Sequence, residues 1–246
     1  CRDKPKKFMK AIILAAGRGS RMMGLTKDCP KCLVKLRGKT LLEWQLEALR
    51  SAGINEIAIV TGYKSKMLSS YGLVEFHNPR WEKTNMVSSL ECAQEWLQED
   101  PCIVSYSDIF YEKKTIEQLA ECPAALAVAY DPNWKKLWER RFEDPLIDAE
   151  TFKLNSDGTL AEIGNQPGSI EEIEGQYMGL LKFTPASWIV AMELWSNLSE
   201  EQQNIMQMTS LLNGMINNKM VQISTVPNVG EWGEIDNQSD LNIYTS

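Results

Sequence analysis

The chain has 246 residues, of which 43% are hydrophobic and 24% are charged, as in globular proteins that bury a substantial core. Its formal net charge of −7 argues against nucleic-acid binding, which needs a cationic face. No apolar run reaches the roughly 18 residues of a membrane-spanning helix, so no contact with a membrane is expected.

Short apolar segments alternate with amphipathic ones through the first half of the chain. Apolar runs that predict buried strands cover residues 10–16, 56–61, 74–78, 102–107 and 124–130. Helical spacing of apolar residues covers Leu41–Ser51, residues 85–97 and Lys113–Glu121. This alternation predicts an α/β fold with a parallel, doubly wound sheet and right-handed crossovers.

The second half of the chain has a different pattern. Asn155-Ser156-Asp157-Gly158 separates Phe152–Leu154 from Leu160–Ile163, which predicts a β-hairpin. Further strands are predicted at residues 177–183, 220–226 and 232–236, and helices at 185–195, 200–217 and the C-terminus. Because no repeat and no Pro- or Gly-rich linker interrupts the pattern, residues 1–246 are expected to form one domain.

The cysteines do not form a recognisable metal motif. Cys29 and Cys32 bracket Pro30-Lys31 but have no second pair, and His77 is the single histidine among 246 residues with six cysteines. We therefore expect reduced, packed cysteines in a cytoplasmic protein.

A glycine-rich turn, Gly17-Arg18-Gly19, follows the first predicted strand. Backbone N–H groups in such a turn can bind an anion. The dinucleotide fingerprint G-x-G-x-x-G is excluded because Met22 stands at the third glycine position. Taken alone, the turn is equally consistent with a simple tight turn.

Cationic residues strengthen the case for a phosphate site. Arg21 follows the turn, and Lys31 comes directly after Pro30, which fixes the backbone in front of it. A triphosphate attacked at its α-phosphorus needs positive charge for the leaving pyrophosphate and for the reacting phosphorus. The alternative is that Arg18, Arg21, Lys27 and Lys31 form a solvated basic face.

These residues resemble a known signature. The segment from Leu14-Ala15-Ala16-Gly17-Arg18-Gly19-Ser20-Arg21-Met22 to Pro30-Lys31 resembles the L-A-A-G-x-G-[ST]-R…P-K motif of the sugar-nucleotidyltransferase superfamily. Across nearly its whole length, the chain is similar to bacterial phosphocholine cytidylyltransferases and to their relatives that act on phosphonates or other phosphorylated amino compounds. The resemblance implies a Rossmann-like, doubly wound mixed sheet with a small inserted β-hairpin region for the acceptor. The nucleotide-binding part would span about residues 8–123, and the acceptor-binding and C-terminal part about 124–246.

The same resemblance implies an activity and roles for individual residues. CMP would pass from CTP to a small phosphorylated or phosphonate amino compound, with release of pyrophosphate. Arg21 would contact the β- and γ-phosphates, and Lys31 the α-phosphate and the acceptor phosphate. The segment that would hold the nucleotide comprises Leu14, Ala15, Ala16, Gly17, Gly19 and Ser20. The oligomeric state is left open, a homo-oligomer included.

Three carboxylates stand at or near predicted strand ends. Asp108 follows the strand at residues 102–107, where a doubly wound sheet places its ligands. Glu234 and Asp236 are two residues apart and share one face of a strand. Together they could hold Mg²⁺ with phosphate oxygens, which is the role that the resemblance implies for them. The alternative is that they are strand-end caps or turn residues.

Candidates for base and acceptor recognition are less distinctive. Asn85 begins a predicted helix, where it could be a simple N-cap, part of the nucleotide site with Ser89 as the resemblance implies, or both; Tyr63 could border the base. For the acceptor, the candidates are Tyr130, Trp134, Glu174 and Tyr177, since aromatic faces and a carboxylate would suit a quaternary ammonium. Arg140 and Arg141 are either contacts for a second anionic group or a solvated surface pair.

Two other functions remain open at this point. A sugar-1-phosphate nucleotidyltransferase fits the N-terminal signature equally well, although Asn165-Gln166-Pro167 only loosely resembles the E-K-P motif of those enzymes. A non-catalytic nucleotide-binding module is disfavoured because Arg21, Lys31, Asp108 and Asp236 occur together.

Overall fold

The structure, a computed structural model, describes residues 8–19 and 26–245. The strands in this part of the chain are β1 (Lys10–Ala15), β2 (Lys35–Leu36), β3 (Lys39–Thr40), β4 (Ile57–Thr61), β5 (Val74–His77), β6 (Cys102–Tyr106), β7 (Ile109–Tyr111), β8 (Leu126–Asp131), β9 (Phe152–Leu154), β10 (Leu160–Ile163), β11 (Gln176–Phe183), β12 (Ser224–Pro227) and β13 (Trp232–Glu234). The α-helices are α1 (Leu41–Ser51), α2 (Met86–Glu91), α3 (Gln94–Glu99), α4 (Lys113–Glu121), α5 (Trp134–Arg141), α6 (Pro185–Ser196), α7 (Glu200–Ile205), α8 (Met208–Asn217) and α9 (Gln238–Thr245).

A seven-stranded sheet forms the centre of the molecule, in the order β12-β8-β11-β6-β1-β4-β5. Strand β1 is parallel to both of its neighbours, β4 and β6, whereas β11 runs antiparallel to β6 and β8. The sheet is therefore mixed, and the α/β fold with a Rossmann-like mixed sheet is confirmed. Since β1 and β6 are parallel neighbours, the loops that follow them open at the same edge of the sheet.

Both faces of the sheet are covered, which explains the continuous apolar runs in the sequence. All six residues of β1 are buried, with Ile12 and Leu14 in the core on one face and Ile13 and Ala15 in the core on the other. The predicted hairpin is present, with β9 and β10 antiparallel. None of the described helices combines the length and apolar character that a membrane span requires.

Two predicted helices are each divided in the structure. Residues 85–97 form α2 and α3, because the backbone N–H groups of Cys92 and Ala93 donate to carbonyls three residues back and a new helix then begins. Residues 200–217 form α7 and α8, separated by the extended Met206. The strand predicted at 220–226 begins only at Ser224.

Elements that the sequence analysis does not predict include α5 and the short strand β7. Strand β7 pairs with β13, with Glu234 opposite Ile109, and the backbone N–H of Ile235 donates to the carbonyl of Asp108. This pairing places the C-terminal segment beside the end of β6, at the edge of the sheet where the loops after β1 and β6 open.

Candidate active site

A cluster of three carboxylates, called here the acidic cluster, lies at this edge of the sheet. Asp108 comes from the β6–β7 turn, and Glu234 and Asp236 come from β13 and the residues after it. One carboxylate oxygen of each side chain lies within 4.8 Å of those of the other two. The β7–β13 pairing thus brings together residues that are far apart in sequence.

Lys31 lies against this cluster. Its Nζ donates to Asp108 Oδ2 at 2.7 Å and to Asp236 Oδ1 at 2.6 Å, and its side chain is only 8% exposed. Pro30 precedes the short 3₁₀ helix in which Lys31 stands. Gly19, with φ of +69°, packs so closely that an added Cβ would lie 3.1 Å from the Lys31 side chain. The glycine-rich turn therefore contacts the lysine directly.

Arg141, at the end of α5, is the second cation at the acidic cluster. Its guanidinium donates to Glu234 at 3.0 Å, to Asp236 at 3.3 Å and to Asp240 at 3.0 Å, and its side chain is fully buried. It is thus neither a solvated surface residue nor free to contact an acceptor. Arg140 instead donates to the backbone carbonyl of Ile243.

Burial and mutual repulsion shift the ionisation of these groups. Burial, reinforced by the negative charges of Asp236 and Asp108, raises the pKa of Glu234 to about 8. Burial alone would lower the pKa of Lys31, but Asp108 and Asp236 outweigh it and raise that pKa above the usual value. Lys31 is therefore a fixed positive charge, and a further cation would favour the ionised form of Glu234.

The acidic cluster suits a hard divalent cation. Mg²⁺ prefers carboxylate oxygens and the oxygens of substrate phosphates. Asp108 Oδ1 is buried and has no hydrogen-bond partner among the described residues, which is costly unless another group completes its coordination. Asp108, Glu234 and Asp236 are the residues that would hold such an ion.

A first cavity, of about 330 Å³, extends from the acidic cluster toward the glycine-rich turn. Its lining consists of Leu14, Ala16, Gly17, Gly19, Lys31, Trp81, Thr84, Asn85, Met86, Ser89, Tyr106, Ser107 and Asp108. Asn85 lines this cavity and also caps α2, since its Oδ1 accepts from the N–H of Met86 at 2.8 Å. The capping interpretation is thus correct for Asn85, while its contact with a nucleotide stays a prediction.

Not every residue predicted to bind nucleotide lies at the first cavity. Ala15 packs into the core on the opposite face of the sheet, as the alternation along β1 requires. Tyr63 is not among the lining residues; it donates from its hydroxyl to the carbonyl of Lys27 and packs against Trp81, which does line the cavity. Ser20 and Arg21 lie outside the described residues.

A second cavity, of about 400 Å³, meets the first at Asn85, Met86, Tyr106 and Asp108. Its remaining lining consists of Ile109, Asp148, Glu150, Gln176, Tyr177, Met178, Gly179, Gln207, Thr209, Trp232 and Glu234. Because Asp108 and Glu234 belong to both this lining and the acidic cluster, the two cavities meet at the candidate metal site.

Of the residues predicted to bind an acceptor, Tyr177 is the one among the described lining residues of the second cavity, and contact of the other three with an acceptor stays a prediction. Tyr130 stacks on Phe152 with ring centroids 5.0 Å apart. Trp134 is buried and donates from Nε1 to the carbonyl of Ile173. Glu174 accepts from the backbone N–H of Leu154 at 2.7 Å. These side chains are engaged in packing and in holding β9.

Several polar residues of the second cavity are not among the predicted site residues. Asp148 and Glu150 stand in an irregular segment before β9, and Thr209 stands in α8. Trp232 lies in a predicted strand, but the strand pattern does not show which face of the sheet its side chain occupies. The alternating acids at 148 and 150 were the one local signal that could have indicated a polar wall.

Comparison with known proteins shows the family of the chain. Residues 11–167 match the model of the MobA-like NTP transferase domain. The chain belongs to the MobA-like NTP transferase family. The resemblance to nucleotidyltransferases inferred from the glycine-rich signature is thereby confirmed, and this MobA-like domain is a nucleotidyltransferase.

Individual relatives of this MobA-like transferase differ in how much of it they cover. The chain is 40% identical to the CTP:phosphoglutamine cytidylyltransferase of Campylobacter jejuni, over 96% of this chain and 98% of the relative. It is also 40% identical to the choline-phosphate cytidylyltransferase of Streptococcus pneumoniae, over 36% of this chain and 41% of the relative. The solved inositol-1-phosphate CTP transferase of T. maritima shares the fold, with a TM-score of 0.77 at 17% identity over 98% of this chain and 95% of that one.

Proposed function

We propose that this chain transfers CMP from CTP to a small phosphorylated compound that carries an amino group, and releases pyrophosphate. The relative that matches nearly its whole length is named for CTP and phosphoglutamine, and a second relative is named for choline phosphate. Both names combine cytidylyl transfer with a phosphorylated nitrogen compound, and the first names CTP, which supports this choice of substrates.

The observation that carries the proposal is the position of Asp108 where the two cavities meet. A transfer between two phosphates needs the donor and the acceptor on opposite sides of the reacting phosphorus, with cationic groups beside it. In this proposal, the first cavity takes CTP and the second takes the acceptor. Lys31 and the acidic cluster then lie beside the α-phosphorus.

The chemistry needs few groups from the protein. An oxygen of the acceptor phosphate attacks the α-phosphorus of CTP, a new P–O bond forms, and the bond to the oxygen that leaves with pyrophosphate breaks. Since the acceptor phosphate is already an anion, no general base is required. Bound to Asp108, Glu234 and Asp236, Mg²⁺ would supply neutralisation of the phosphate charge. Lys31 would hold the α-phosphate and the acceptor phosphate, and Gly17, Gly19, Ser20 and Arg21 the rest of the triphosphate.

The test is pyrophosphate release with each of the four common nucleoside triphosphates and Mg²⁺. The acceptors would be phosphoglutamine, phosphoethanolamine, phosphocholine, aminoethylphosphonate and glucose 1-phosphate. Release with CTP and an amino-bearing acceptor supports the proposal. Turnover of glucose 1-phosphate without any amino compound would instead indicate a sugar-1-phosphate nucleotidyltransferase. Binding of CTP with no release from any acceptor would favour a nucleotide-binding module.

A further inference from the structure

Gln45 is a polar side chain in the core between α1 and the β6–β7 turn. It stands on the buried face of α1 with 0% exposure, and its neighbours on that face, Leu42, Leu46 and Leu49, are apolar. Burial of an amide is costly unless its donors and its acceptor are hydrogen-bonded. A helix position that only packs against a sheet needs no amide, so the partners of Gln45 indicate what this residue does.

The amide nitrogen of Gln45 joins the two ends of the turn that carries Asp108. Its Nε2 donates to the carbonyl of Tyr106 at 2.9 Å and to the carbonyl of Ile109 at 2.7 Å. An amide nitrogen carries two protons, so it can satisfy both carbonyls at once. Ser107 and Asp108 lie between these two carbonyls, at the centre of the turn. Gln45 therefore closes the turn from the side of α1.

The oxygen of the same amide is held as well. Ser105 Oγ lies 3.1 Å from Oε1 of Gln45 and 3.0 Å from the carbonyl of Tyr106, and it accepts from the Tyr111 hydroxyl at 3.1 Å. The two carbonyls beside Nε2 can only accept, so they fix which end of the amide faces the turn. Replacing the amide by a group that cannot donate would break the link between the two ends of the turn.

Helix α1 is also bonded to the segment that carries Lys31. The backbone N–H of Leu41, the first residue of α1, donates to the carbonyl of Val34 at 3.0 Å. The N–H of Val34 in turn donates to the carbonyl of Lys31 at 3.0 Å. Helix α1 thus connects the lysine segment with the turn of Asp108, and Gln45 completes this connection.

We propose that Gln45 is a positioning residue for the metal-dependent reaction, because by closing the β6–β7 turn it places the Asp108 carboxylate where it can bind the ion together with Glu234 and Asp236. The inference rests on the proposed function, since it takes Asp108 as a ligand of Mg²⁺. Gln45 is not among the described lining residues of either cavity, so it acts through the turn and not by contact with a substrate. Hydrogen-bonding partners behind metal ligands typically change metal affinity or activity by about ten- to a hundredfold.

Two variants of Gln45 test this role. Gln45→Met keeps the length of the side chain but has no donor, and Gln45→Glu keeps its shape but can donate at most one hydrogen bond, and only when protonated. For both, we expect the affinity for Mn²⁺ without nucleotide, measured by electron paramagnetic resonance, to fall about tenfold. The Mg²⁺ concentration at half-maximal turnover should rise by a similar factor. An added carboxylate alone would attract a cation, so weaker binding by Gln45→Glu would not be an effect of charge.

Thr115→Val is the matched control for a loss of stability. Thr115 is fully buried in α4, donates from its hydroxyl to Asn228 Oδ1 at 2.6 Å, and is not among the described lining residues of either cavity. This variant also loses a buried hydrogen bond, so its midpoint of denaturant unfolding should fall, while its Mn²⁺ affinity stays native. A protein that is merely destabilised has fewer active molecules at every Mg²⁺ concentration, but its half-maximal concentration does not move.

The outcomes separate this inference from the function on which it rests. Native Mn²⁺ affinity and native Mg²⁺ dependence in folded Gln45→Met would overturn the positioning role, even if turnover falls. If Gln45→Met does not fold, Gln45→Glu decides by the same two readouts. Pyrophosphate release by a native chain whose Gln45 variants bind Mn²⁺ equally well would refute the inference alone. A native chain that neither binds Mn²⁺ nor releases pyrophosphate with any acceptor would refute both.

Discussion

The ammonium nitrogen of Lys31 lies 2.6 Å from Oδ1 of Asp236, although 205 positions separate the two residues along the chain. The same nitrogen also bonds to Oδ2 of Asp108, so Lys31 places a positive charge against two of the three carboxylates that would hold a divalent cation. Binding of a metal ion and retention of both lysine contacts therefore oppose each other. A lysine displaced in this way would be available to a triphosphate in the first cavity.

This competition predicts opposite effects of one substitution. Lys31→Met should lower turnover by several orders of magnitude, because a charge beside the reacting phosphorus is lost. The same variant should bind Mn²⁺ at least about tenfold more tightly in the absence of nucleotide, a change of about 1.4 kcal/mol, because a competing positive charge is removed. Titration with Mn²⁺ followed by electron paramagnetic resonance measures the affinity directly. Unchanged or weaker binding would show that Lys31 does not compete for the cluster.

Substitutions of Asp108 and of Asp240 should differ in their effects: the first should mainly lower turnover, and the second should mainly lower stability. Asp240 is fully buried, pairs with Arg141 and accepts the backbone N–H groups of Asp236 and Asn237. Asp240→Ala should therefore lower the free energy of unfolding by about 3–5 kcal/mol. Asp108→Asn leaves Lys31 paired with Asp236, so it should cost less than half as much stability. It should nevertheless reduce turnover roughly a hundredfold or more, because several kcal/mol of charge neutralisation are lost with the metal site.

Denaturant unfolding and steady-state kinetics on the same preparations would check this contrast. If Asp108→Asn unfolds as readily as Asp240→Ala, Asp108 has a structural role and the assignment as metal ligand loses its support.

The contact between Gly19 and Lys31 predicts a third effect. Both Gly19 and Gly38 have positive φ values, +69° and +84°, so an alanine at either position is strained by about 1–2 kcal/mol. At Gly19 the new Cβ would also press on the Lys31 side chain at 3.1 Å, whereas at Gly38 it would meet nothing within 4 Å. Gly19→Ala should therefore lower kcat, and Gly38→Ala should lower only stability. Equal kcat values for the two variants would contradict a positioning role for Gly19.

The Cys29-x-x-Cys32 pair should behave as two independent thiols. Burial raises the pKa of Cys32 to about 12, so this thiol stays protonated and unreactive at neutral and mildly alkaline pH. Alkylation of the native protein at about pH 8 should modify the half-buried Cys29, Cys92 and Cys122 before Cys32 and Cys102, and peptide mapping by mass spectrometry reads the order. Rapid labelling of Cys32 in the folded protein would contradict its burial.

Local sequence signals were sufficient for the framework of the fold. The helix Leu41–Ser51 has the bounds that its pattern predicts, because Thr40 and Glu43 form a capping box within the segment itself. The parallel strands were recognisable because burial on both faces requires continuous apolar runs. By contrast, the interruption between α2 and α3 follows from the backbone hydrogen bonds there, and no residue type in the segment predicts it.

The acceptor region shows where sequence reasoning fails. Arg141 stands next to Arg140 in the sequence, yet one is buried among three carboxylates and the other bonds to a carbonyl at the surface. Only the docking of α5 against α9 distinguishes them. In the same way, Trp134 is a plausible binding residue by type, but its Nε1 is already bonded to Ile173 within the core. Tertiary packing decides which polar groups remain for a ligand.

The central claim is that CMP passes from CTP to a phosphorylated amine at the junction of the two cavities. The most direct measurement is ³¹P nuclear magnetic resonance of the native chain incubated with Mg²⁺, CTP and phosphoglutamine or phosphoethanolamine. We predict the disappearance of the triphosphate signals and the appearance of pyrophosphate together with the coupled signals of a CDP-linked product. Formation of CDP and inorganic phosphate, or a nucleoside monophosphate with an unchanged acceptor, would contradict transfer of CMP to that acceptor.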